Sequence, residues 1–329
     1  MELLRSTMSY SETIQENITH KVKLPQKEDL KKAQLRISKF INRTPVLTSS
    51  TLDEKLKCNV FFKCENFQKM GAFKMRGASN SLLKMDADEL KMGVATHSSG
   101  NFAQAVALSS KMSGIKAHIV MPTNAPYVKK NSTLGYNARV IDCPPTLKDR
   151  EETLQEVINQ TGAVAMHPYN DINVIEGNAT AAMELLEDYP DLDAIFAPVG
   201  GGGLISGTCL AAKYFSNAKV FGAEPEGADD AYQSFQKGEI IPMVNPQTIA
   251  DGLRTSLGEI GFEIMKTHLN SIFTVSESEI ISAMKWMWQK MKIIIEPSSA
   301  VPLAALIKNH ELFKNQHVGI IISGGNVDL

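Results

Sequence analysis

Eight short apolar or β-branched runs alternate with helix-like stretches, and this alternation constrains the fold more than any other feature of the chain. The runs are NVFFKCE (59–65), GVATHSS (93–99), KAHIVMP (116–122), ARVIDC (138–143), AVAMHP (163–168), AIFAPVG (194–200), KVFGAEP (219–225) and VGIIISG (318–324). Between them lie NFAQAVALSSKM, LKDREETLQEVINQ, NATAAMELLED and GLISGTCLAAKYF. Repeated strand–helix–strand order predicts an α/β fold with mostly parallel sheets, because parallel neighbours need a crossover that a helix supplies. Many of the strands end in a glycine or serine turn that opens at once into a helix. Ligands in open α/β sheets sit beyond the carboxyl ends of the strands. The turns SSGN, GGGG and SGGN are therefore where chemistry is expected. Towards the end, SESEIISAMKWMWQKM predicts an amphipathic helix, with a turn at Glu296-Pro297 and a second helix after it. Its Met and Trp residues read as core stripes.

Composition narrows the class. With 329 residues and 43% hydrophobic content, the chain can bury a core large enough for two domains. Its net charge of −2 is spread evenly, with no basic stripe, which argues against nucleic acid as a partner. No apolar run reaches the ~18–20 residues of a membrane span. Residues 1–25 read as a polar leader, lacking the apolar core and cleavage site of a signal peptide. Cys58, Cys64, Cys143 and Cys209 form neither a CxxC pair nor a zinc-ligand cluster, as expected for reduced thiols of a cytoplasmic protein. These features point to an enzyme of small molecules.

Four local features carry the chemistry. APVGGGGLISG (197–207) sets tetraglycine, Gly200 to Gly203, between a strand and a helix. Without Cβ atoms such a loop can bring its N–H groups against an anion, and the helix adds its positive N-terminal end. No Lys-Ser/Thr follows, so it is not a Walker loop. HSSGNFAQA (97–105) offers Ser98, Ser99, Gly100 and Asn101 at a helix start, where a carboxylate could bind; serine and asparagine are also ordinary helix caps. ISGGNVDL supplies a hydroxyl, Ser323, beyond a buried strand. In GAFKMRG (71–77), Lys74 stands beside Phe73 and between Gly71 and Gly77, a setting that suits a lysine meeting a ligand at close range. A partly desolvated lysine amine can form a Schiff base with an aldehyde. A cofactor with one phosphate, one aldehyde and one ring nitrogen is pyridoxal 5'-phosphate.

The chain resembles the serine racemase and serine/threonine dehydratase family, tryptophan-synthase β-like (fold type II) pyridoxal-phosphate enzymes. The resemblance runs from about Leu30 to Leu329 through RTPVLTSS, FFKCENFQKMGAFKMRGA, HSSGN, APVGGGG, GAEPEGADDAYQS, TIADGLRTSLG, EPSSA and SGGNVDL, in family order. It implies a two-domain α/β fold: a large cofactor-binding domain over 26–92 and 171–329, with a small domain over 93–170 inserted in it. It implies that Lys74 is the Schiff-base lysine with Phe73 beside the cofactor, that Gly200 to Gly203 hold the phosphate, and that Ser323 meets the pyridine nitrogen. Ser98, Ser99, Gly100 and Asn101 become the substrate-carboxylate turn, Asn101 also reaching the ring hydroxyl. Ser99 becomes the acid–base group on the far face in racemisation. Glu224, the carbonyl of Ala228 and Asp230 resemble a Mg²⁺ (or Ca²⁺/Mn²⁺) site. Ser49–Ser50–Thr51 and Gln104 fall where racemases bind activating ATP between subunits, and a homodimer is implied. Three departures stand out. Phe102 replaces a common histidine. Tyr169-Asn170 follows His-Pro in place of the serine-rich loop of aspartate racemases. EPSSA replaces EPSGA or EPTAG, so that Ser299 is expected to tighten that turn.

The expected reaction is ammonia loss from L-serine or L-threonine, giving pyruvate or 2-oxobutanoate, with Lys74 as the base that takes the α-proton. A neutral Ser323 at the ring nitrogen favours prompt loss of the β-hydroxyl. Racemisation through Ser99 shares the site as the alternative. A third reading, a scaffold that kept the fold without turnover, is opposed by the intact Lys74 and the three loops.

Overall fold

A computed structural model describes residues 23–98, 100–125 and 127–328. Ser99 and most of the polar leader lie outside the described residues. The strands are β1 (Val46–Thr48), β2 (Asn59–Cys64), β3 (Val94–His97), β4 (Ala117–Pro122), β5 (Arg139–Cys143), β6 (Val164–Ala165), β7 (Ala194–Pro198), β8 (Lys219–Pro225), β9 (Ser271–Val275) and β10 (His317–Ile322). They form a six-stranded sheet, β1-β2-β10-β7-β8-β9, and a four-stranded sheet, β5-β4-β3-β6. Every pairing is parallel except that of β1 with β2. All residues of β3, β4 and β7 are buried, as expected where helices cover both faces of a parallel sheet.

All eight expected strands are present. β1 and β9 are additional to them: β1 has three residues and pairs only at the edge, and SIFTV of β9 is five residues with no glycine turn behind it. The helix over 203–215 has the expected bounds. The one expected from Asn178 begins earlier, spanning Ile172–Asp188 with Asp171 capping the amide of Asn173. Near the end, Glu277–Trp286 passes into a π-turn over Met287–Met291 before the Pro297–Lys308 helix, and Met287 is buried in the core there.

The Ile172–Asp188 helix is the spine behind the site. A Cβ on Gly177 would come within 2.4 Å of the Arg76 carbonyl and 2.8 Å of Gly77 Cα, so the Lys74–Lys84 helix touches it backbone to backbone. A Cβ on Gly207 would come within 2.6 Å of Ala179 N, which brings the Gly203–Phe215 helix against the same spine. Gly77 thus serves helix packing, not the ligand approach expected of it. Gly71 has φ +78° and turns the chain against Asn326.

A buried ionic quartet fixes the Lys74–Lys84 helix from behind. Arg76 Nε and Nη2 donate to Glu65 at 2.7 and 2.8 Å, Nη1 and Nη2 donate to Glu184 at 2.8 Å each, and Nη1 also donates to Thr180 Oγ1 at 3.1 Å. Lys63 Nζ donates to Glu184 at 2.6 Å and to the Thr44 carbonyl at 2.7 Å. The guanidinium thereby uses all five of its N–H donors.

Candidate active site

Two loops far apart in sequence form one floor. Phe73 N donates to the Ser323 carbonyl at 2.9 Å, Gly325 N donates to the Gly71 carbonyl at 2.9 Å, and Ala72 bridges Gly324. The start of the Lys74–Lys84 helix is therefore stitched to the end of β10, and Lys74 and Ser323 line one cavity of about 210 Å³. Gly200 to Gly203, at the end of β7, form another wall, and Ser98, Gly100 and Asn101, at the end of β3, a third. Phe73 and Phe102 also line it. The three turns picked out in the sequence thus meet at the carboxyl ends of strands from both sheets.

Lys74 Nζ donates to the Pro168 carbonyl at 2.8 Å and lies 5.2 and 5.6 Å from the ring centroids of Phe73 and Phe102. Burial lowers its pKa to about 8, because these surroundings solvate an ammonium poorly. Burial likewise holds His97 near 4 and His167 near 3, so both imidazoles are neutral; Arg150 adds to the effect at His97, and His97 and Lys74 at His167. Asn101 Nδ2 donates to Glu296 Oε1 at 2.9 Å and Oε2 at 3.2 Å, while Asn326 Nδ2 donates to Asn101 Oδ1 at 2.9 Å. One Nδ2 proton of Asn101 remains for a ligand. Burial lifts the Glu296 carboxyl to about 7. Tyr169 Oη is 3.0 Å from Thr255 Oγ1, and its ring lies across Gly201, where a Cβ would come within 2.3 Å of it.

A family profile described as "Pyridoxal-phosphate dependent enzyme" matches residues 37–324. The chain belongs to the pyridoxal-phosphate dependent enzyme family. It is 50% identical over 309 residues to a serine racemase of Dictyostelium discoideum, covering 92% of this chain and 95% of that protein. It is 47% identical over 307 residues to a beta-hydroxyaspartate dehydratase of Paracoccus denitrificans, covering 93% and 98%. Its structure is similar to that of a bacterial-type threonine deaminase from "T.th.", with a TM-score of 0.88 and 40% identity over 93% of this chain and 99% of that one.

The residues present fit a pyridoxal-phosphate cofactor. Gly202 has φ +89°, which favours glycine, and it caps the helix whose first amides have no intrahelical acceptor. A desolvated lysine amine and a neutral hydroxyl complete the set. Glu224, Ala228 and Asp230 lie outside the cavity lining, as do Ser49–Thr51 and Gln104. Among the described residues no group of three or more His, Cys, Asp or Glu side chains could hold a metal. Glu224 and Asp230 are buried nonetheless, burial and the charge of Asp230 push the Glu224 carboxyl well up, and Asp230 Oδ1 has no hydrogen-bond partner.

Glu296, Lys129, Asp251, Arg150, Tyr169 and His97 also line the cavity. None of the six is singled out as a site residue by the sequence reading. Glu296 and Asp251 stand inside EPSSA and TIADGLRTSLG, so those motifs held a signal; Lys129, which pairs with Asp251, has none nearby. All four cysteines are free and buried, and no helix among the described residues is long and apolar enough to cross a membrane.

Proposed function

We propose that the chain is a pyridoxal-phosphate-dependent ammonia-lyase of L-serine and L-threonine, releasing pyruvate or 2-oxobutanoate and ammonia. The observation that carries this reading is the Lys74 amine, lowered to about 8 and held by the Pro168 carbonyl in a cavity walled by tetraglycine. When bound, the cofactor would supply an electron sink for the charge left at Cα. Gly200 to Gly203 and the helix behind them hold its phosphate. Ser98, Ser99, Gly100 and Asn101 hold the substrate carboxylate. With one N–H fixed to Pro168, the neutral amine of Lys74 keeps its lone pair free to take the α-proton. Loss of the β-hydroxyl as water then leaves an enamine, which hydrolyses to the keto acid and ammonia. Phe73 and Phe102 exclude water around the amine. Keto-acid release from L-serine and L-threonine tests this; no release from either overturns it.

Racemisation is the second reading, favoured by the 50% identity to a serine racemase. Ser99 would be the acid on the face opposite Lys74. Ser99→Ala should then abolish solvent deuterium at Cα of D-serine while sparing elimination. Arg150 at the cavity gives a cation for a second carboxylate, so 3-hydroxyaspartate belongs in the substrate panel. We read the two sheets as a large and an inserted small domain. The orphaned Asp230 oxygen beside Glu224 supports a Mg²⁺, Ca²⁺ or Mn²⁺ site, since such cations take oxygen ligands. ATP activation through Ser49–Thr51 and Gln104, and a homodimer, follow from the resemblance, and sedimentation with and without nucleotide tests both.

A further inference from the structure

Ser323 reaches the cavity, and Ser299 stands directly behind it. Ser299 is fully buried in the first turn of the Pro297–Lys308 helix and does not line the cavity. It carries a hydroxyl where the related motifs EPSGA and EPTAG have glycine or alanine. Gly324 N donates to Ser299 Oγ at 2.7 Å. The Gly324 carbonyl lies 2.7 Å from the same Oγ, and Ser323 Oγ lies 2.9 Å from it.

A hydroxyl has one proton and two lone pairs. One lone pair of Ser299 is taken by the Gly324 amide, so its proton must go either to the Gly324 carbonyl or to Ser323. The carbonyl already accepts from Glu296 N at 3.1 Å. Turning the Ser299 proton to Ser323 therefore leaves no buried group unpaired. In the opposite arrangement Ser323 gives its own proton backwards to Ser299 and shows only lone pairs to the cavity.

We propose that Ser299 is a positioning residue that makes Ser323 a hydrogen-bond donor to the cofactor's ring nitrogen. The order is Gly324 N–H to Ser299, Ser299 O–H to Ser323, and Ser323 O–H to the ring. Each bond polarises the next, which strengthens the last donor. A donor at that point keeps the ring nitrogen unprotonated, weakens the electron sink, and favours prompt loss of a β-leaving group over α-proton return. The inference rests on the reading of Ser323 as the ring-nitrogen partner.

The test uses the holoenzyme loaded with pyridoxal phosphate isotope-labelled at its ring nitrogen. The ring-nitrogen resonance is recorded for the native protein, Ser299→Ala, Ser323→Ala and the double variant, with the ratio of keto-acid release to Cα-hydrogen exchange on L-serine. Ser323→Ala should move the resonance. Ser299→Ala should move it in the same direction by less, and the double variant should match Ser323→Ala alone. The elimination-to-exchange ratio should fall about fivefold in Ser299→Ala, the equivalent of one ordinary hydrogen bond. A Ser299→Ala resonance identical to native, or single shifts that simply add, overturns the role of Ser299. No shift in Ser323→Ala overturns the underlying ring-nitrogen assignment instead. If Ser299→Ala does not fold, Ser299→Cys, a weaker donor of similar size, gives the same comparison.

Discussion

Lys74 and Arg76 are two residues apart in the first turn of one helix, and their surroundings are opposites. Behind the helix, Arg76 commits every donor to Glu65, Glu184 and Thr180, and Lys63 closes the same quartet. In front, the Lys74 amine has the Pro168 carbonyl, and the cavity around it includes His97, whose Nδ1 has no hydrogen-bond partner. Four buried charges do little for net stability, since desolvation offsets their attraction, but a planar fork between two carboxylates admits one register where an apolar patch would admit several. The rear is finished; the front keeps donors and acceptors for something that arrives. The difference separates scaffold from site within a single helical turn.

That contrast breaks first at the front. Lys74→Ala should reduce keto-acid formation by roughly 10⁴-fold or more, as loss of a positioned base and of covalent attachment together predict. It should leave the thermal transition of the apoprotein unchanged or raised, because a buried amine is removed. At the rear the pattern inverts. Arg76→Met strands Glu65 and Glu184 in the interior and should cost about 3–5 kcal/mol in denaturant unfolding. A stability loss in Lys74→Ala matching that of Arg76→Met would erase the distinction.

A smaller effect sharpens the boundary. Glu296 holds Asn101 from the cavity side, and its carboxyl is lifted from an ordinary 4.5 to about 7. A carboxyl raised in the folded state favours the protonated form, so its stabilising contribution is full below the ordinary value and is lost as pH rises through about 7. The difference in thermal midpoint between the native protein and Glu296→Gln should therefore fall between about pH 5 and pH 8. A flat difference would mean that Glu296 is charged throughout.

The front was more legible in sequence than the rear. Tetraglycine after an apolar strand, a hydroxyl turn before a helix and a lysine beside an aromatic ring are local signals, each within a few residues. The quartet is not local: Arg76 and Glu65 are 11 residues apart and Arg76 and Glu184 are 108 apart. Only the docking of the Ile172–Asp188 helix joins them. Gly77 shows the same limit, for its neighbours Val174 and Asn178 come from that distant helix, and a glycine needed for packing cannot be told locally from one needed by a ligand. Tyr169 and Thr255, 86 residues apart, meet across the glycine loop for the same reason.

The central claim is that Lys74 is the residue that binds the cofactor covalently. Reduction of the pyridoxal-phosphate-loaded protein with borohydride, followed by digestion and mass analysis, tests it directly. The pyridoxyl group should be found on the peptide containing Lys74 and should be absent from Lys74→Ala. A label on another lysine, or undiminished labelling in Lys74→Ala, would contradict the account.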